Sequence, residues 1–214
     1  MVSALMTEQK DPREVYGTYW EKLGNLRPSE VCERTEALYR SDKTGYVLPF
    51  LNERHLVIPG QREIMRVRPD ETLETEALTM DGYLLFLFYL IEAKTVEPKR
   101  RWVSEKDLRG GEMFFRGPHS LPLAELAEKY GNNPARFVEA GKRLGGVEML
   151  YGDKAFGLDV FPKILLVYVL WTGDEEFSPR IQVLFDETIQ EHFSLDVIWC
   201  AVSEVNRRLI SLPA

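Results

Sequence analysis

An α+β fold, with a largely antiparallel central sheet and helices packed around it, is predicted by three features of this sequence. Residues Ile164–Trp171 are apolar without a break, and a second apolar run, residues 181–185, follows across a loop that carries Asp174, Glu175 and Glu176. A strand that is apolar at every position must be covered on both faces, so the first run belongs in the middle of a sheet. Over residues 79–93 the apolar side chains crowd nearly all sides of a helix, which places that helix inside the protein. Strand and helix patterns are interleaved with no regular βαβ rhythm, and this favours antiparallel pairing over a doubly wound sheet.

Taken in order, Asp11-Pro12 supplies a cap and first turn for a helix reaching about Leu23, with Val15, Tyr19 and Leu23 on one face. Pro28 starts a second, in which Val31, Thr35, Leu38 and Tyr39 follow at helical spacing, so residues 11–40 read as a helical pair packed on the sheet. After Gly45 the pattern becomes extended. Residues 46–51 and 55–58 form a hairpin around Asn52-Glu53-Arg54, and Glu63–Val67 supplies a third strand. Trp102-Val103-Ser104 is a short extended piece, followed by a glycine-punctuated loop with Phe114 and Phe115. Helices are expected at 121–130 and from Asn133-Pro134 to Leu144. Lys154–Phe161 alternates as a half-buried strand should. Asp186 is positioned to cap a short turn. Ser194 then caps a last helix with the stripe Leu195, Ile198, Trp199, Val202, Val205, Leu209 and Ile210.

At 214 residues the chain is sized for one compact domain spanning residues 1–214. Its net charge of −7, from 34 acidic against 27 basic residues, opposes attraction to nucleic acid or anionic lipid. The cluster Lys99-Arg100-Arg101 reads as a helix C-terminus. The first residues show no secretory pattern, and no apolar segment approaches the roughly 20 residues of a membrane span, so a cytoplasmic protein with no membrane partner is expected. Cys32 and Cys200 lie at opposite ends of the chain inside helix patterns, without CxxC spacing, and are expected to be unbridged thiols. His55, His119 and His192 show no ligand-type spacing. No nucleotide or nucleophile motif is present, and the sequence leaves the cofactor unidentified.

The acidic loop is the foremost candidate site. Asp174, Glu175 and Glu176 follow Trp171 at a strand end, while Asp186 closes the next strand and Asp153 opens the preceding one. Oxygen ligands of this kind suit Mg²⁺ or Ca²⁺, and Asp174 with Glu176 is the pair that alternation would place on one face. The simpler reading is a solvated hairpin turn in which an aspartate caps the backbone, and it is favoured because consecutive residues diverge. Trp102, Phe114 and Phe115 could line a pocket for a flat ligand, although plugging the core beneath a loop is the simpler role.

The segments GYLLFLFYL, WVSEKDLRGGEMFF, PLAELAEKYG, RLGG, YGDKAF and LWTGDEEF with the following LFD resemble, in this order, the DUF3786 family. That is a domain of unknown function seen mostly in anaerobic bacteria and archaea, and the likeness runs from about Tyr16 to Leu209. Some relatives look to carry an attached iron–sulfur-binding segment, which implies an association with anaerobic redox or corrinoid metabolism. This chain has no cysteine cluster, and the family transfers no catalytic residue. Two readings follow: an accessory or ligand-binding protein whose partner is a small molecule or another protein, and a metal-assisted hydrolase using residues 174–176.

Overall fold

The computed structural model describes residues 11–213; residues 1–10, in which the sequence shows no secretory pattern, lie outside the described residues. The expected first helix is interrupted at Tyr16, giving α1 (Pro12–Val15) and α2 (Gly17–Gly24). Asp11 caps α1, its carboxylate accepting from the Arg13 N–H at 2.9 Å. Next comes α3 (Pro28–Thr35), which stops because Glu36 turns into the left-handed region at φ 59°. The expected helical pair therefore ends short of residue 40. Leu38 and Tyr39, assigned to it by their spacing, belong instead to β1 (Leu38–Arg40), where pairing with the next strand overrides a helical pattern.

Four strands follow in sequence: β2 (Gly45–Phe50), β3 (Glu53–Ile58), β4 (Glu63–Val67) and β5 (Leu73–Thr75). The hairpin between β2 and β3 turns at Leu51-Asn52, with Leu51 at φ 56°, so Glu53 and Arg54 already pair with Phe50 and Pro49. After the long helix α4 (Met80–Glu92), capped by Thr79, whose hydroxyl oxygen accepts from the Gly82 N–H at 3.0 Å, comes β6 (Trp102–Val103). Lys99, Arg100 and Arg101 thus lie on an extended strap beyond the helix and do not form its C-terminus. Three helices then follow, α5 (Gly111–Phe114), α6 (Ala124–Tyr130) and α7 (Pro134–Arg143). The first of the later pair was expected to start at Leu121. Ser120 and Pro122 instead give their carbonyls to Trp199 Nε1 and Asn206 Nδ2, at 3.1 and 2.7 Å. The chain closes with β7 (Val147–Met149), β8 (Lys154–Phe161), β9 (Ile164–Trp171), β10 (Arg180–Asp186), α8 (Ile189–His192) and α9 (Leu195–Ser211).

The strands make two antiparallel sheets where one was expected, in the orders β1-β2-β3-β4-β5 and β6-β10-β9-β8-β7. As its apolarity requires, β9 is the central strand of the second sheet, and its residues from Ile164 to Leu170 are buried. The sheets meet where the Leu51 N–H donates to the Val160 carbonyl at 3.0 Å. Phe50 of β2, Phe86 of α4 and Phe161 of β8 fill that junction, with ring centroids 5.0 to 5.3 Å apart, and Tyr89 stacks on Phe161 at 4.4 Å. One apolar cluster runs from Trp20 to Leu209 through this contact. Both cysteines are free. Among the described residues no helix is long and apolar enough to cross a membrane.

Helix α7 lies unusually close to the second sheet, and Gly141 is the reason it can. A Cβ built there would stand 2.4 Å from Cγ of Phe156, a ring fixed between Phe137 and Tyr168. Gly141→Ala is therefore expected to destabilise the fold by about 1–3 kcal/mol despite alanine's better helix propensity, because the buried ring cannot move aside cheaply. Urea unfolding measures this directly, and a stabilised variant would show that the helix is free to slide outward.

Candidate functional site

The residues singled out in the sequence fall at opposite ends of the second sheet. Arg180 pairs with Trp171 and Phe185 with Leu166. Asp186 is thus six residues along β10 from the loop end, on the order of 20 Å at about 3.3 Å per residue. At the loop end, Asp174, Glu175 and Glu176 are exposed. The Asp174 carboxylate accepts from the N–H groups of Glu176 and Phe177 at 2.9 and 2.7 Å, closing a tight turn. Asp153 accepts from the Thr172 N–H and hydroxyl, both at 2.7 Å, and these bonds hold its carboxyl below the usual range. Trp171 is half-buried beneath the Arg180 guanidinium, 4.4 Å from the ring. Phe114 stacks on His119 at 4.8 Å and meets Phe115 edge-on.

At the far end, Asp186 is fully buried and accepts from the Lys99 N–H at 3.2 Å, the Thr188 N–H at 3.0 Å and the Thr188 hydroxyl at 2.6 Å, with its other oxygen on the Arg100 N–H. Burial pushes its carboxyl up, but these donors outweigh that and hold it below the ordinary value. Trp102 pairs with Asp186 across the ladder and packs on Ala155, Val167 and Val169, together with Trp171 and Met149. Asp186 thereby anchors the strap of residues 93–101. Two further buried groups hold the same strap. Lys163 reaches Glu97 at 2.8 Å, and His192 Nδ1 accepts from the Lys94 N–H at 3.2 Å.

That last bond fixes the chemistry of His192. With Nδ1 used as an acceptor, the ring proton sits on Nε2, which is buried and has no acceptor among the described residues. Burial, reinforced by the Lys163 charge, pushes the imidazole down to about 4, so the ring is neutral near pH 7. His192 lines a cleft of about 390 Å³ between the end of α4 and the start of α9, with Phe88, Phe193 and Leu195 as apolar walls and Lys94 and Arg109 at its rim. Gln190 fixes the rim loop by accepting from the Arg109 N–H at 2.7 Å and donating to its carbonyl at 3.1 Å.

A third constellation ties the first sheet to α9. Glu204, 1% exposed, accepts from Arg207 at 2.6 and 2.9 Å, Arg208 at 2.9 Å and the Thr79 hydroxyl at 2.9 Å. Arg208 continues to Glu76 and lies 3.6 Å from Glu53, while Arg66 holds Glu53 at 2.7 Å. His55 Nε2 contacts the other oxygen of Glu76. Burial raises the Glu76 carboxyl, but the His55 hydrogen bond and the Arg208 charge overcome this and bring it to about 2. Ligand atoms of Glu53, His55 and Glu76 lie within 4.8 Å of one another, as around a metal ion. The donor set nevertheless fits guanidinium better than a dication. Both Glu53 and Glu76 already face Arg208, and an added ion would be repelled by that charge at close range.

Residues 27–208 match the family described as Domain of unknown function (DUF3786). The chain belongs to this family. No curated protein and no solved structure matches it. The DUF3786 match takes in the strap, the cleft and the ion-pair network, ending on Arg208 itself. Sequence reasoning missed most of these groups. One signal was present: Glu204 interrupts the apolar stripe of α9 between Val202 and Val205, and arginines follow it at three and four residues, as a buried carboxylate would require.

Proposed function

We propose that this DUF3786 protein is a cytoplasmic accessory protein of anaerobic redox or corrinoid metabolism that binds a small molecule in the cleft between α4 and α9. The observation that carries this reading is His192, a neutral imidazole whose enclosed Nε2–H has no acceptor among the described residues and which lies in the lining of a partly apolar cleft of about 390 Å³. Clefts of that size, with apolar walls and a few directed polar groups, are the usual form of small-molecule sites. The metabolic assignment rests on the family resemblance. The unbroken apolar cluster supports reading the chain as one domain. The sequence candidates Trp171, Asp174, Glu175, Glu176, Asp153 and Trp102 stay as a secondary surface for a protein partner.

Protein purified without oxygen is expected to carry a small molecule detectable by native mass spectrometry, or to gain stability with hydroxocobalamin as a corrinoid probe. A ligand at about a hundred times its Kd adds about 2.7 kcal/mol, a shift of several degrees in Tm. Mg²⁺ and Ca²⁺ are expected to leave Tm unchanged. A saturable rise with either ion, abolished by Asp174→Asn with Glu176→Gln, would replace this reading with a metal-assisted hydrolase.

A further inference from the structure

The strap between α4 and β6 is fixed at its two ends and lightly held in its middle. At the α4 end, the Ala93 N–H donates to the Tyr89 carbonyl at 3.1 Å, and the Ala93 carbonyl accepts from Arg34 at 2.6 Å. At the β6 end, Asp186 accepts from the N–H groups of Lys99 and Arg100, and the Arg101 carbonyl accepts from the Glu187 N–H at 2.9 Å. Between these posts the backbone of Thr95, Val96, Glu97 and Pro98 forms no hydrogen bond among the described residues, and Lys94, Thr95 and Glu97 are exposed. Two polar ties hold residues 94–98 down. The Lys94 N–H donates to His192 Nδ1 at 3.2 Å, and the Glu97 carboxylate, on a side chain 70% exposed, accepts from Lys163 at 2.8 Å. Both partners beneath are enclosed, and Lys163 has no other acceptor among the described residues. Lys94 lines the cleft of about 390 Å³, Val96 lines a second of about 510 Å³, and Gln190 and Glu191 line both, so the segment forms part of the wall between them.

From this arrangement we infer that residues 94–98 are a gate that lifts between fixed posts and is released when His192 takes up a proton. The neutral ring accepts the Lys94 N–H through Nδ1. A protonated ring carries N–H groups on both nitrogens, so Nδ1 would meet the Lys94 N–H donor to donor and the tie would be lost. The charges around the ring are Lys163 from the β8–β9 turn, Asp186 at the end of β10, Glu191 on the same helix, α8, and Glu97 on the gate itself. Lys163 opposes a second positive charge beside it, while Asp186 is engaged by backbone N–H groups and Glu97 by Lys163. Lifting the gate lets water reach the ring, so opening and proton uptake favour each other. Little apolar contact resists the motion, because Val96 and Pro98 are the half-buried residues of the segment and the other three are exposed. An open gate joins the two clefts and uncovers Lys163 and His192. This device stands whether or not the α4–α9 cleft binds a ligand.

Amide hydrogen exchange, read residue by residue on the full chain and corrected for the intrinsic effect of pH, tests the gate. Protection of the Lys94 amide is expected to fall about 30-fold between pH 7.5 and 5, the linkage of a histidine held at about 4 when enclosed and near 6.5 when exposed. In low urea that protection is expected to stay level, because a local opening exposes little surface, whereas amides of β9 report global unfolding and lose protection as urea rises. The Lys99 and Arg100 amides are expected to stay protected while Lys94 exchanges. Glu97→Gln, at an exposed position, removes the charge tie and is expected to lower Lys94 protection about tenfold or more at every pH. His192→Gln is expected to make Lys94 exchange nearly independent of pH. A Lys94 amide whose protection is the same at pH 7.5 and 5 overturns the inference, as does one that follows the urea slope of β9 or one that Glu97→Gln leaves unchanged. Loss of protection at Lys99 and Arg100 in step with Lys94 would show that the posts yield with the middle, and it overturns the gate as well.

Discussion

Glu204→Ala is expected to lower the stability of this protein by about 3–5 kcal/mol, the loss typical when one member of a buried ion-pair network is removed. The carboxylate is 1% exposed and receives four hydrogen bonds, from Arg207, Arg208 and Thr79. Burial by itself would push its carboxyl up, but the Arg207 hydrogen bond and the charges of both arginines reverse this and hold it ionised. Deleting it leaves the Arg207 guanidinium without its hydrogen-bonded carboxylate and takes from Arg208, whose side chain is 12% exposed, the acceptor of its Nε–H. It also strips the acceptor from the Thr79 hydroxyl at the start of α4. At about 2–4 °C per kcal/mol for a chain of this size, Tm should fall by roughly 6–20 °C. Glu204→Gln keeps the shape and one acceptor and should cost less. A drop under about 1 kcal/mol for the alanine variant would mean that water reaches these groups and that the network is a surface feature.

The strands and the interior helix were legible in the sequence because burial on all sides leaves a local mark. Ile164–Trp171 has no polar residue to offer solvent, and the helix at Met80–Glu92 has none to offer over most of its surface. The split into two sheets was not legible, since nothing local in Tyr46 or Val160 says which strand each will meet. Leu38 and Tyr39 show the same limit. Their spacing fits a helix, and a left-handed residue at Glu36 diverts them into a strand. The site candidates failed to converge for a geometric reason. Asp174 and Asp186 flank one strand, and a strand separates its ends by its whole length. His192, Lys94 and Arg109 are brought together from segments far apart in sequence, and no spacing rule could have grouped them. Asp186 was read as the cap of the following turn; the N-cap of α8 is Thr188, and the Asp186 carboxylate accepts instead from the N–H groups of Lys99, Arg100 and Thr188.

His192 also sets how the protein should respond to mild acid. Its folded value is pushed down to about 4 by burial and by Lys163, with Glu191, Asp186 and Glu97 acting weakly in the other direction. The unfolded chain takes up this proton near pH 6.5. Between those limits the unfolded state binds more protons than the folded one, so stability present above pH 6.5 is lost as pH falls towards 4. For a gap of this size the loss by pH 4 is about 3 kcal/mol. Glu76, held at about 2 in the folded state against an ordinary 4.5, adds a separate loss only as pH falls from about 4.5 towards 2. The two windows barely overlap, which makes the histidine contribution separable. Urea midpoints taken at half-unit steps from pH 7.5 to 4.5 should fall steadily for the native chain and remain nearly level for His192→Gln, whatever that substitution does to stability at neutral pH. Parallel curves for the two proteins would show that the imidazole is not kept neutral by its surroundings. In that case Nδ1 is not held as the acceptor of the Lys94 N–H, and the strap is tied by Asp186 and Lys163 without it.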